Sequence, residues 1–405
     1  MDLRTLSLAA LTFTVASSAH AACDFENDVE IRALTAGFQA WKSATAAMAA
    51  CGNFEAELDQ EFRVKQPAAF AADPALYQLG GVANGTLTPL VQAGTIRPLD
   101  DLVAQYGQDL TENQLIRVDG QIMAIAMMVN AQHIMYRSDI FEELGLSAPE
   151  TWEEVLAASA EIQESGEMEY PLGMTFNAGW SLGQEFNNIF AGFGGEHFDA
   201  DGGPAVDGEA GRQTLSLMRD LTEYMDPEFF SADATAVQRK MQQGEIAIAQ
   251  LWASRASAMD DPAESTVVGN VALAAAPRAM PDGPASATLF WDGIVIPTNI
   301  TDEEAEAAFR VALEGIDRET ADANRDDAVW LAKGHEYGPL AEGVVATVSN
   351  GAAPYPSTPR MGLMHGAISR AVGAFLAGDL ELDAALSQIE SDYRERAVEA
   401  GLLDG

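Results

Sequence analysis

The chain has 405 residues, with 62 acidic against 22 basic side chains and a net charge of −40. That charge excludes nucleic acid and anionic membrane surfaces as natural partners. No segment approaches the roughly 20 uninterrupted apolar residues of a membrane-spanning helix, and the length suits two or three globular domains of about 150 residues each.

Residues 1–21 read as a secretory signal peptide: Arg4, the apolar run Leu6–Val15, then Ala19-His20-Ala21 before the expected cut. Cys23 and Cys51 are the only cysteines. Export and an even count predict one disulfide, the alternative being two free buried thiols. Val29–Thr35 alternates as a strand. Trp41, Thr45, Met48 and Cys51 recur at helical spacing, with Gly52 as the stop, and Phe54–Leu58 alternates again. Strand, helix, strand predicts a βαβ unit and a parallel sheet. The loop after its first strand, Thr35–Phe38, is then a binding-loop candidate through Phe38. It carries no glycine-rich phosphate fingerprint, so no nucleotide cofactor is expected, and none of any other kind.

Pro67–Gly81 reads as a helical stretch with Pro74 inside it. In Ile96–Leu102, Pro98 ends an extended piece and Asp100 or Asp101 starts a helix. Ile122–Val129 is a buried strand, interrupted by Asn130-Ala131-Gln132-His133 and resumed at Ile134-Met135-Tyr136. Thr151 and Glu154 form a capping box, as do Thr301 and Glu304. Glu167–Gly173 is a strand, Met174–Trp180 a polar-aromatic loop and Ser181–Phe193 a helix. Asp199–Gly203 begins like a calcium loop but lacks its twelfth-position Glu, so a turn is predicted and no metal. Ile246–Leu251 is a strand that runs into Trp252. Thr288–Thr298 is a strand interrupted by Trp291-Asp292-Gly293. Helices follow around Ile368–Leu376 and Leu382–Tyr393.

Four stretches together resemble one family. They are Tyr136-Arg137-Ser138-Asp139-Ile140-Phe141 with the later Thr151-Trp152-Glu153-Glu154; Ile96–Leu102; Gln242-Gln243-Gly244-Glu245-Ile246-Ala247-Ile248 before Trp252; and Gly293-Ile294-Val295-Ile296-Pro297-Thr298-Asn299. In this order they resemble the bacterial extracellular solute-binding proteins of family 1, the periplasmic sugar-binding subunits of ABC importers. The resemblance implies an α/β, two-lobe periplasmic-binding-protein fold of the class II type. Each lobe would be a mostly parallel sheet flanked by helices, with a ligand cleft at the hinge. Lobe 1 would hold 23–129 plus 293–340, and lobe 2 would hold 131–290 plus 341–405. It also implies a mature, monomeric protein in the periplasm that captures a neutral sugar, oligosaccharide or polyol and meets membrane permease subunits.

The chemistry legible in the residues agrees with binding rather than turnover. Of five histidines, none forms a metal-ligating pair, and no nucleophile-turn motif occurs. Aromatic rings offer flat apolar area to the C–H faces of a sugar, and Asn, Gln and Asp offer partners to its hydroxyls. Together with the hinge and cleft positions that the resemblance implies, this makes Phe38, Asn130, Gln132, Trp180, Trp252, Trp291, Asp292 and Arg360 the expected ligand residues. A secreted carbohydrate-active enzyme is the rival, and it would need two opposed carboxylates in the cleft.

Overall fold

The computed structural model describes residues 23–404 except 24, 26, 60 and 357. The predicted signal peptide, residues 1–21, lies outside the described residues. The strands are β1 (Ile31–Thr35), β2 (Phe54–Leu58), β3 (Leu79–Ala83), β4 (Leu115–Val118), β5 (Gln121–Asn130), β6 (Gln132–Arg137), β7 (Leu172–Gly173), β8 (Ile248–Trp252), β9 (Val271–Ala274), β10 (Thr288–Val295), β11 (Val329–Trp330) and β12 (Ala353–Pro354). They form two sheets. The first runs β11-β5-β10-β3-β1-β2, with β4 beside β5 and β12 beside β10; the second runs β7-β8-β6-β9.

The expected βαβ unit is present: β1 pairs in parallel with β2 and with β3, and the helix Gln39–Ala49 covers it with Trp41, Ala44 and Met48. The sheets are otherwise mixed rather than mostly parallel. β10 lies antiparallel between β3 and β5, and β6 lies antiparallel to both β8 and β9. The cause is the chain's route. β5 leaves the first sheet to become β6 of the second, β10 returns, and both run against their neighbours. A tight turn at Asp119-Gly120, both with positive φ, adds the antiparallel β4–β5 hairpin.

The helical reading of Pro67–Gly81 is corrected. The helix is Phe62–Ala71, and Leu79–Ala83 is the buried strand β3. Its glycines are dictated from outside the segment. A Cβ on Gly80 would run into Phe70 and Gln66, and one on Gly81 into Trp41 and Thr35. This close approach lets the flanking helices seat directly on the sheet. The strand expected over Glu167–Gly173 is likewise cut down to β7, Leu172–Gly173, whereas Thr151 with Glu154 and Thr301 with Glu304 are the expected capping boxes.

Each sheet has its own core. The first gathers Trp41, Phe70, Leu79, Ile125, Val295, Phe309 and Trp330. The second gathers Trp152, Phe186, Phe190, Ile248, Phe375 and Tyr393. Each large side chain so buried contributes roughly 1.5–3 kcal/mol. The chain passes from first to second core at Asn130-Ala131-Gln132. It returns within β10, where Phe290 belongs to the second core and Ile294 to the first. Register slips between Asp292 and Gly293 at that point. Cys23 and Cys51 form a disulfide, which ties the segment before β1 to the end of the first helix.

Candidate ligand-binding site

Between the two cores lies a cleft of about 760 Å³. On the first-core side it is lined by Phe38, by the start of the helix Phe62–Ala71 (Phe62, Arg63, Gln66) and by the end of β3 with the first turn of the helix Asn84–Gln92 that follows it (Ala83, Gly85, Thr86). On the second-core side it is lined by Trp180, Trp252, Ser254, Arg255 and Asp233; Asn130, Phe290 and Asp292 form its floor. β1 and β3 both point their carboxyl ends into it, where open α/β sheets take ligands.

Its apolar wall is a built cluster. The Trp180 and Trp252 rings lie 6.4 Å apart and 23° from parallel. Both meet Phe290 edge-on, at 5.8 Å and 5.3 Å, and Phe290 stacks on Tyr355 at 4.8 Å. Edge-to-face contacts of this kind fix ring orientation as well as bury area. Trp180 remains 42% exposed. Gly179 holds φ +110 just before it, a conformation costly to any residue with a Cβ, and so the helix Trp180–Gly192 begins with its indole at the cleft.

The polar floor centres on Asp292. Its side chain makes no hydrogen bond or ion pair among the described residues, although it is only 8% exposed. Burial pushes its carboxyl up to about 7, against the pull of the Arg63 guanidinium. It is an acceptor without donors, facing a cavity. Asn130 is used differently from expectation. Its Nδ2 donates to Ser254 Oγ at 3.2 Å, and its Oδ1 accepts from the Ser254 N–H at 3.3 Å, so it holds Ser254 at the cleft wall. Arg255 donates to Gln238 Oε1 at 2.8 Å; burial lowers its pKa and Asp233 counters. From across the cleft, Arg63 approaches the Trp180 ring at 5.9 Å.

Five expected residues are thus brought together: Phe38, Asn130, Trp180, Trp252 and Asp292. Three are not. Gln132 is buried beneath the site, donating to Glu185 Oε1 at 2.7 Å and Thr175 Oγ1 at 3.1 Å and accepting from Asn188, because β6 turns this face onto the helix Trp180–Gly192. Trp291 alternates to the opposite face of β10 from Phe290 and Asp292; it packs on the first core, and its backbone N–H donates to Asn84 Oδ1 at 2.8 Å. Arg360 donates to the Leu402 carbonyl at 3.0 Å and lies against Gly202, and it does not line the cleft. The turn at Asp199 is used internally, its Oδ1 accepting from the N–H groups of Asp201 and Gly203 at 3.0 Å and 2.8 Å. Residues the sequence did not single out are Arg63, Ser254, Arg255 and Asp233. Ser254 and Arg255 directly follow Trp252, which was the available signal. Arg63 carries no such signal, because it lies ahead of the Pro67–Gly81 stretch that reads as helical.

Residues 54–313 match the family described as bacterial extracellular solute-binding protein. A mannitol-binding protein of Pseudomonas aeruginosa is 26% identical over 231 residues, which span 56% of this chain and 51% of that protein; the chain thus matches about half the length of that relative. Among solved structures, an ABC transporter solute-binding protein of Agrobacterium radiobacter in complex with ribitol superposes with a TM-score of 0.79 at 22% identity, covering 91% of this chain and 99% of the other. One of Agrobacterium vitis with bound D-mannitol gives 0.76 at 21%, covering 92% and 99%. At such identities these structures show the fold: two lobes with a cleft between them.

Proposed function

The chain belongs to the bacterial extracellular solute-binding protein family, and we propose that it captures a neutral sugar or polyol in this cleft and delivers it to the membrane subunits of an ABC importer. The observation that carries the reading is the pairing of an exposed, edge-braced aromatic wall with one buried carboxylate that has no donor among the described residues. Apolar C–H faces suit the first, and hydroxyl donors suit the second. Three carboxylates (Glu61, Asp233, Asp292) and two guanidiniums (Arg63, Arg255) share the lining, a balance that favours an uncharged ligand over a phosphorylated one. The mannitol and ribitol named for its relatives fit that chemistry.

Trp180 and Trp252 hold a ligand face, Asp292 accepts hydroxyls, and Ser254, placed by Asn130, adds a polar contact. We assign 23–129 plus 293–340 to one lobe and 131–290 plus 341–405 to the other, with Asn130 and Asp292 where the chain passes between them. Contacts completed only when the lobes shut would favour the closed form, which membrane subunits could then distinguish. We place the mature chain in the periplasm as a monomer that binds without turnover. A thermal-shift panel of polyols, mono- and oligosaccharides tests this, with product analysis on the same mixtures. A ligand at a hundred times its dissociation constant should add about 2.7 kcal/mol. No shift with any neutral carbohydrate would overturn the ligand class, and turnover would overturn the assignment as a binder.

A further inference from the structure

Behind the aromatic wall lies a hydrogen-bonded chain whose tautomer is set by a backbone carbonyl. His365, on the helix Pro359–Leu376 and 3% exposed, places Nε2 2.8 Å from the Trp180 carbonyl oxygen. A carbonyl can only accept, so Nε2 carries the proton. Nδ1 is then an acceptor, and its single lone pair is shared by the Tyr355 hydroxyl at 2.8 Å and Asn187 Nδ2 at 3.1 Å. The Asn187 Oδ1 left over accepts from His197 Nε2 at 2.8 Å. Each group is used in the one direction its neighbours allow. Burial holds the His365 ring down at about 4, so it is neutral at pH 7, as two donors on Nδ1 require. The same imidazole stacks on the Trp180 indole, 5.1 Å between centroids and 14° from parallel. Gly183 makes this possible: a Cβ there would run into His365 and Ser369, so the two helices could not approach as closely.

We propose that His365 is the positioning residue for Trp180, fixing both the backbone on which the indole is mounted and one face of the ring, so that the part of the indole left exposed in the cleft is preset for the ligand. The inference rests on the reading of Trp180 as a ligand platform, but the contacts it explains are all made by the protein's own groups. A side chain left to rotate would have to be ordered by each binding event, and prior ordering removes that cost. Tyr355 and Asn187 act one step further back, holding the imidazole in the tautomer that donates to Trp180.

The test separates the two readings. The chain's six tryptophans give six indole N–H signals in a nitrogen-15 correlation spectrum, and Trp180→Phe identifies the one from Trp180. In His365→Ala that signal should move and broaden while those of Trp41, Trp152 and Trp330, buried in the cores, stay in place. His365→Gln, whose amide can still donate to the Trp180 carbonyl, should restore part of the position. Tyr355→Phe, which removes one donor to Nδ1, should shift the signal less than His365→Ala and in the same direction. D-mannitol affinity should fall about tenfold in His365→Ala and less in His365→Gln, as expected when a binding side chain loses its support. An unmoved Trp180 signal in His365→Ala overturns the proposal, as does an equal shift of all six signals. If His365→Ala does not fold, His365→Gln and Tyr355→Phe decide by the same criterion. Should the parent bind no polyol, the ligand reading fails, while the indole signals still judge the positioning role.

Discussion

Asp292 makes ligand binding pH-dependent with a definite sign. Burial pushes its carboxyl up to about 7, because it costs the charged form more than Arg63 returns. Hydroxyl donors from a ligand stabilise the carboxylate, so the pKa falls on binding and a proton leaves. If only the ionised form accepts the ligand, the competent fraction grows about tenfold between pH 6 and pH 8, which is about 1.4 kcal/mol. Affinity should therefore rise with pH across that window and flatten above it. Titration calorimetry at pH 6, 7 and 8 reads the affinities. At pH 7, repeating it in buffers of different ionisation enthalpy reads the proton release, which should be about half a proton per ligand. Asp292→Asn should abolish both the slope and the buffer dependence. A flat profile in the parent, or an unchanged slope in Asp292→Asn, would refute the role given to this carboxylate.

Three further outcomes follow from other parts of the molecule. Asn130→Ala should weaken binding by roughly 1–3 kcal/mol through loss of the Ser254 placement, with circular dichroism unchanged; unaltered calorimetric affinity would remove Asn130 from the site. Glu185 is fully buried, with Oε2 unpartnered, and burial raises its carboxyl to about 7. A raised carboxylate pKa means the folded state holds more protons between the unfolded value and about 7, so its contribution to stability falls as pH rises through that range. Glu185→Gln should therefore gain on the parent by about 3 kcal/mol more at pH 8 than at pH 5 in urea melts, and an equal difference at both would contradict this. Opening the Cys23–Cys51 disulfide by the double Ser substitution should cost roughly 3–4 kcal/mol of stability and leave ligand affinity unchanged, since neither residue lines the cleft; thermal melts and calorimetry check the two halves.

What could be read from the sequence was local. The alternation in β1 and β2, the helix carrying Trp41 and Met48 and the two capping boxes each depend on residues a few positions apart. β3 was illegible because its Leu-Gly-Gly-Val-Ala is set by Phe70, Gln66 and Trp41 pressing from outside, and glycines carry no periodicity. The Asp119-Gly120 hairpin was legible by its turn chemistry yet went unread beside the stronger apolar run of β5. In the site, strand alternation applied to Trp291-Asp292 assigns the two to opposite faces, and only one could reach a cleft. Gln132 follows Asn130 by two positions, but the chain changes sheets between them, so parity does not carry across. Arg63 becomes relevant only when the helix Phe62–Ala71 is set against Trp180 from the other core, a juxtaposition no local pattern encodes.

The central claim is that the aromatic wall holds a neutral carbohydrate, and titrating the parent and Trp252→Ala with the same polyol tests it most directly. The parent should show saturable one-site binding, and Trp252→Ala should bind more weakly by roughly 2 kcal/mol or more, the cost typical of losing a buried aromatic anchor, with its fold intact by circular dichroism. Equal affinity in the two proteins would contradict the account.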